Sequence, residues 1–435
     1  MLTSEMKSFL PYVLHLEELV RMGPHGVAGW RHRTSLALDG EPGRELAKAV
    51  DLETRRKTGA FFTGKDLART ALGTRRQTRG RTFYFDPACG AGDLLLAAAR
   101  HLPIRGSLQS TLELWSTALA GCDAYAEFVR ATKARLVLLA LLRHASIDHN
   151  DGLDLKSLFP LINVRDGLKP SHFYSNAQWI ILNPPYGYMG APKACTWASG
   201  NVTAAGVFFE VCLQNSATGT RVTAILPEVL RSGTRYEKWR QLVVEQSNIK
   251  RLQPYGLFDR RADVDVFILD VVKQSVAKQA RKISWTTLNH QRGKSVGDMF
   301  TVHIGPVVPH RHRKVGTFAP YIHARAVTPW GSVKRITEHR RFKGTLFATP
   351  FIAIRRTSRP NDRHRATGTL IAGKRPVAVE NHLIVCSPRN RTIKSCRRLL
   401  KQLKSKEIDA WLNDRIRCRH LTVASIREIP INDEV

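Results

Sequence analysis

From about residue 80 the chain alternates short apolar runs with helix-length stretches, and this rhythm limits the folds open to it more than any other feature. The runs Thr82–Phe85, Leu119–Cys122, Leu161–Val164, Trp179–Leu182, Arg221–Leu226, Ile249–Leu252 and Val264–Val272 have the length and composition of strands. Helix-forming segments, Leu94–His101, Phe128–Leu142 and Gly206–Asn215, lie between them. Such alternation predicts an α/β fold, a mostly parallel sheet with helices on both faces. Sheets of this kind take ligands at the carboxyl ends of their strands, so the loops that leave those ends carry the functional question.

The 435 residues exceed one ordinary domain of about 100–200 residues. Residues 1–50 read as a helical lead-in punctuated by Gly23, Pro24, Gly26, Gly29, Gly40, Pro42 and Gly43. Residues 51–275 hold the alternation. Beyond 275 it fades into short segments with scattered Arg and His and turn signals such as Gly305-Pro306 and Pro329-Trp330-Gly331, which predicts a separate α+β domain over 276–435. The net charge is +32, and residues 276–435 hold 33 Lys and Arg against 10 Asp and Glu. A polyanion partner accounts for that excess, because each phosphate neutralised releases counterions; charge alone does not separate DNA from RNA. The seven cysteines are scattered without a C-x-x-C pair, so neither a disulfide framework nor a zinc cage is expected. Free thiols fit a reducing cytoplasm. No apolar run approaches the roughly 20 residues of a membrane span, and Met1–Leu19 lacks the basic head and unbroken apolar stretch of a signal peptide. The expectation is a cytoplasmic protein, nucleoid-associated through its charge, with no membrane partner.

Four loops carry chemistry. The first strand runs into Phe85-Asp86-Pro87-Ala88-Cys89-Gly90-Ala91-Gly92-Asp93 and then a helix; glycines there let the backbone turn tightly and approach a ligand. The second strand ends at Asp123, placed to accept hydrogen bonds from two ribose hydroxyls, or else to cap the helix that follows. The strand Leu161–Val164 leads to Asp166, suited to an adenine amino group, with Asp151 and Asp154 as competitors. The strand Gln178–Leu182 ends in Asn183-Pro184-Pro185-Tyr186. Prolines fix the backbone direction and remove donors, so the Asn183 amide oxygen and the Pro184 carbonyl form two acceptors for one amino group. Tyr186 offers a ring face for a planar base.

These residues resemble the adenine-N6-specific DNA methyltransferases of the gamma class, in which the cofactor half precedes a C-terminal target-recognition domain. The resemblance covers residues 55–275 and rests on Asp-Pro-Ala-Cys-Gly-x-Gly and Asn-Pro-Pro-Tyr in the family's order. It implies a Rossmann-like S-adenosylmethionine-dependent methyltransferase fold and transfer from S-adenosylmethionine to a flipped-out adenine, leaving S-adenosylhomocysteine. It also implies a restriction–modification or related defence setting. Lys57–Thr63 resembles the family's cofactor segment, which makes Phe61 and Thr63 candidates for the methionine end, beside Asp86, Pro87, Ala88, Cys89, Gly90, Gly92, Asp123 and Asp166. Asn183, Pro184, Pro185 and Tyr186 are the expected catalytic turn. Phe258, in Gly256-Leu257-Phe258, is the expected second stacking ring, whereas Phe267 is read as core. No metal is called for, and Cys89 is read as packing. Double-stranded DNA is the expected partner, gripped by the cluster Arg355, Arg356, Arg359, Arg363 and Arg365 around Pro360, or else that cluster is a solvated loop. A restriction endonuclease or another defence subunit is a second partner. Readings that stay open are methylation of RNA or of a protein glutamine, and a recognition subunit active only within a larger complex. Some 50 residues before the cofactor segment are few for a nuclease, so modification without cleavage is expected.

Overall fold

The computed structural model describes residues 6–26, 28–73, 82–144, 157–258, 263–275, 284–286 and 293–431. They form two compact units, Met1–Arg231 with Arg235–Ile283, and Ser232–Thr234 with Ser284–Val435.

The first unit opens with helices α1 (Leu10–Gly26), α2 (Trp30–Ala37), α3 (Glu41–Ala49), α4 (Leu52–Thr58) and α5 (Lys65–Leu72). In α1 the residues Val13, Leu16, Leu19 and Val20 make one buried stripe at helical spacing. They share a hydrophobic cluster with the helices of the sheet, so the N-terminal helices pack into this unit's core. The sheet strands are β1 (Tyr84–Asp86), β2 (Leu119–Asp123), β3 (Ile162–Val164) and β4 (Trp179–Leu182). After a small hairpin, β5 (Tyr188–Gly190) with β6 (Asn201–Thr203), come β7 (Arg221–Pro227), β8 (Ser247–Leu257) and β9 (Asp265–Lys273). Helices α6 (Asp93–Ala99), α7 (Leu108–Ala118), α8 (Ala126–Arg143), α9 (His172–Asn176), α10 (Ala204–Asn215), α11 (Glu228–Ser232) and α12 (Glu237–Gln246) connect them.

The strand order is β3-β2-β1-β4-β7-β9-β8, parallel except that β9 runs antiparallel to both β7 and β8. This is the mostly parallel α/β sheet that the alternation predicts. All four residues of β4 are buried, as a central strand covered on both faces requires. β1 lies between β2 and β4, so the connections leave it in opposite directions. That switch point opens a crevice at the carboxyl ends of β1 and β4. Two details differ from the sequence expectation. Helix α7 stands in a stretch to which the alternation assigns no element, started by a Ser107–Ser110 capping box. β8 runs well past Ile249–Leu252, because as an edge strand it buries only two of its residues, and two bulges break its pattern.

The second unit holds a five-stranded sheet and a three-stranded sheet. Its strands are β10 (Phe300–Ile304), β11 (Thr317–Ile322), β12 (Ser332–Val333), β13 (His339–Phe342), β14 (Phe351–Arg355), β15 (Gly368–Ile371), β16 (Ala378–Val379) and β17 (Leu383–Pro388). The orders are β10-β17-β14-β15-β12 and β13-β11-β16. Helices α13 (Val296–Met299), α14 (Ile393–Gln402), α15 (Lys406–Arg415) and α16 (Val423–Arg427) complete this unit. Ile352, Ile354, Leu399, Leu412 and Ile426 belong to one buried cluster within it. Among the described residues no helix is long and apolar enough to cross a membrane, and no group of three metal-ligating side chains occurs.

Candidate active site

The crevice is built first by the turn after β1. Gly90 and Gly92 have φ of +52° and +87°, a region that penalises side chains. A Cβ on Gly92 would lie 2.8 Å from Thr132 Cγ2. The turn is fixed to β2 and α8: Cys89 N donates to Cys122 O (2.9 Å), Gly90 N to Asp123 Oδ2 (3.0 Å), and Thr132 Oγ1 to Gly90 O (2.8 Å). Asp123 Oδ1 accepts from Tyr125 N (3.1 Å), just before α8 begins. Burial raises the Asp123 carboxyl to about 6, against the backbone donors that lower it. Asp86 accepts from Ala88 N (3.0 Å), and burial raises it to about 8. Both are carboxyls raised by burial in a crevice, an arrangement typical of sites that receive a ligand. The Cys89 thiol is buried and pushed well above its ordinary range by that burial, which suits packing rather than nucleophilic attack.

The second wall is the turn after β4. Asn183 Nδ2 donates to Thr63 Oγ1 (3.0 Å), and the Tyr186 hydroxyl donates to Asn183 Oδ1 (2.6 Å). Burial pushes the Tyr186 phenol well up, so it remains a donor. Thr63, expected at the methionine end, thus also sets which way the Asn183 amide faces. The rings of Tyr186 and Phe258 meet edge to face, centroids 5.4 Å apart. Phe267 lies fully buried in β9. Gly59 explains how the two walls come so close: its φ is +72°, and a Cβ there would lie 2.3 Å from Pro185 Cβ. Pro184 is buried beneath the turn.

Phe61, Pro87, Ala88, Gly90, Asp123 and Asn183 line one cleft, and Asp166 stands exposed at its margin, its Oδ1 accepting from Leu168 N (2.9 Å). Asp86 and Cys89 line a smaller adjoining cavity with Thr63 and Asn183. Gly92 shapes the turn and begins α6. Asp151 and Asp154 lie outside the described residues. One supporting pair is invisible in the linear sequence. Arg135, fully buried in α8, donates to Asp93 Oδ1 (2.9 Å), to Ala37 O (2.8 Å) and to Ala91 O. Asp93 Oδ2 in turn accepts from Gly64 N (2.6 Å). One ion pair therefore joins the glycine turn, the Phe61–Gly64 segment and α2. The only sequence signal for it is Asp93 at the head of the otherwise apolar α6, because Arg135 is one of several charged residues along α8.

In the second unit the expected arginine cluster does not act as one surface. Arg359 and Arg363 are exposed, and Arg355 and Arg356 are half-buried, with Arg355 Nη2 donating to Val327 O (3.0 Å). Arg365 corrects the expectation. It is fully buried, and its guanidinium donates to Ser358 Oγ, Asn413 Oδ1 and the carbonyls of Ile416 and Cys418. It ties α15 to the loop before β15 and has no path to a phosphate.

The N-6 DNA methylase family model matches residues 48–298. No curated protein matches the chain in sequence. Among solved structures, the chain is similar to the type IIL restriction–modification enzyme MmeI in complex with DNA: 12% identity over 88% of this chain and 70% of that one, TM-score 0.56. It is also similar to the M protein of the type I restriction enzyme EcoKI: 15% identity, 62% of this chain and 60% of that one, TM-score 0.38. A third likeness is to a type I modification subunit from Vibrio vulnificus: 17% identity, 54% and 49%, TM-score 0.39. The chain thus spans about half the length of that last subunit. At these identities the MmeI likeness speaks for the fold, and the family follows from the sequence match. Running from just before α4 to the start of the second unit, that match takes in more than half of the residues, and the chain belongs to the N-6 DNA methylase family.

Proposed function

We propose that the chain transfers a methyl group from S-adenosylmethionine to the N6 amino nitrogen of an adenine flipped out of double-stranded DNA. The setting we propose is modification within a restriction–modification or related defence system, with a restriction endonuclease or another defence subunit as partner. The observation that carries the reading is Asn183: its amide is oriented by Thr63 and turned towards Tyr186, at the crevice that also holds Asp123 and the Gly90 turn. The net charge of +32 and the DNA complex of the similar MmeI support DNA as the substrate.

The crevice fits such a cofactor. Gly90 leaves no side chain in the way, the Asp123 carboxylate has lone pairs for ribose hydroxyls, and Asp166, at the cleft margin, would accept from an adenine amino group. Phe61 and Thr63 would flank the amino-acid end, with Asp86, Pro87, Ala88 and Cys89 forming the floor and Gly92 closing the turn. S-adenosylmethionine supplies, when bound, an electrophilic methyl group. The residues of the chain then have a positioning task. Asn183 Oδ1 and the Pro184 carbonyl accept the two hydrogens of the target amino group. This draws the nitrogen lone pair out of conjugation with the ring. Pro185 stiffens the turn, and Tyr186 and Phe258 hold the base by its faces. Before the base enters, the Tyr186 hydroxyl satisfies the same Asn183 oxygen, so entry exchanges one hydrogen bond for another.

The test uses purified protein, tritium-labelled S-adenosylmethionine and unmethylated genomic DNA, digested to nucleosides. Label in N6-methyladenine, lost in Asn183→Ala, supports the reading. With RNA and protein offered in parallel reactions, label in one of those and none in DNA would replace it.

A further inference from the structure

The second unit carries an exposed aromatic and cationic face apart from the arginine cluster around Pro360. Phe318 in β11 is 53% exposed. Arg341 is its cross-strand partner in β13, with the guanidinium 6.0 Å from the ring centroid. His339 stacks on the same ring at 5.0 Å and 15°. The alternation of β13 turns Arg340 inward, where it donates to His312 O (2.6 Å) and Pro309 O (3.3 Å) and holds the foot of the preceding loop. That loop exposes Arg311, Arg313 and Lys314, and Lys374 and Arg375 are exposed on another loop, from which Arg375 donates to Phe318 O (3.4 Å). Residues 301–350 contain nine Lys and Arg and a single acidic residue, Glu338, which is engaged by His323 (2.8 Å). By contrast, the loop of Arg359 and Arg363 carries Asp362, whose carboxylate accepts from Arg359 N (2.7 Å).

We propose that the β11–β13 strand pair is the base-reading element of the protein, entering the major groove of duplex DNA while the 310–316 loop grips the flanking phosphates. This rests on DNA being the substrate. A two-stranded ribbon fits the major groove, and β13 is the edge strand of its sheet, so the pair is open on that side. Arg341 supplies a two-donor fork for a guanine edge, and Phe318 an apolar face for a thymine methyl. Arg311, Arg313 and Lys314 supply charge that positions without reading sequence.

The test maps N6-methyladenine across unmethylated genomic DNA after treatment with the full chain and its variants. Arg341→Lys keeps the charge and loses the fork, and Phe318→Ala removes the ring; both positions are exposed, and thermal melting and cofactor binding check that each variant is folded. The expected result is a drop of about tenfold or more in methylation at wild-type sites, or spread to new ones, for either variant. Unchanged sites and rates in both Arg341→Lys and Phe318→Ala overturn the inference while leaving DNA methylation standing. A wild-type chain that neither binds nor methylates DNA overturns both.

Discussion

The hydrogen bond between Tyr186 and Asn183 sets two uses of tyrosine against each other. Its ring should help the reaction by stacking, while its hydroxyl competes with the target amine for Oδ1. Tyr186→Phe is therefore expected to keep or raise kcat, and Tyr186→Ala to lower kcat/KM by about tenfold or more, since base–aromatic stacking is worth about 1–3 kcal/mol. Steady-state kinetics on DNA separates the two. Asp123 gives a pH prediction. Burial places its folded-state pKa at about 6, above the roughly 3.9 of an unfolded aspartate. The ligand-free fold thus keeps a proton that the unfolded chain has already released. That proton favours the folded state most below about pH 4, and the advantage is lost as pH rises through 6. Ribose hydroxyls that donate to the carboxylate favour its ionised form, so cofactor affinity should run the other way. It should weaken by about tenfold per pH unit below 6 and level off above. Titration calorimetry in two buffers should show proton release near pH 6, abolished in Asp123→Asn.

Among the elements, the long helix α8 does the most to assemble the site, through Arg135. Arg135→Met leaves the Asp93 carboxylate buried without its cation and should cost about 3–5 kcal/mol, read by urea denaturation. The double variant Arg135→Met/Asp93→Leu should lose less stability than the single one but bind cofactor poorly, because the Gly64 clamp is gone. The strands around the crevice were legible because buried parallel strands are continuous apolar runs: Trp179–Leu182 needs no context to be recognised. The turns after β1 and β4 were legible because Gly and Pro restrict the backbone locally. Edge strand β8 was half-hidden by its exposed residues. The Arg135–Asp93 pair and the closeness of Gly59 to Pro185 join residues 42 and 126 positions apart, which no local pattern encodes. Arg365 was misread for the same reason, since a buried arginine and a phosphate-binding one look alike until their neighbours are known.

For the whole molecule, the charge concentrated in residues 276–435 is a statement about a polyanion. If six or more phosphates are contacted, duplex affinity should fall about 10³-fold or more between 50 and 200 mM salt, measured by fluorescence anisotropy. A flat salt profile would separate the charge from DNA binding. That domain was the least legible part: its two sheets are built from short strands, some of only two residues, whose pairing spans long stretches of sequence. The central claim is that the crevice at the ends of β1 and β4 methylates adenine N6. The most direct measurement digests genomic DNA to nucleosides after incubation with tritium-labelled S-adenosylmethionine, using wild-type protein and Asn183→Ala side by side. The account predicts label in N6-methyladenine for the wild type, and a loss of about 100-fold or more in the variant with its cofactor binding intact. Label in another nucleoside, or equal label from both proteins, would contradict it.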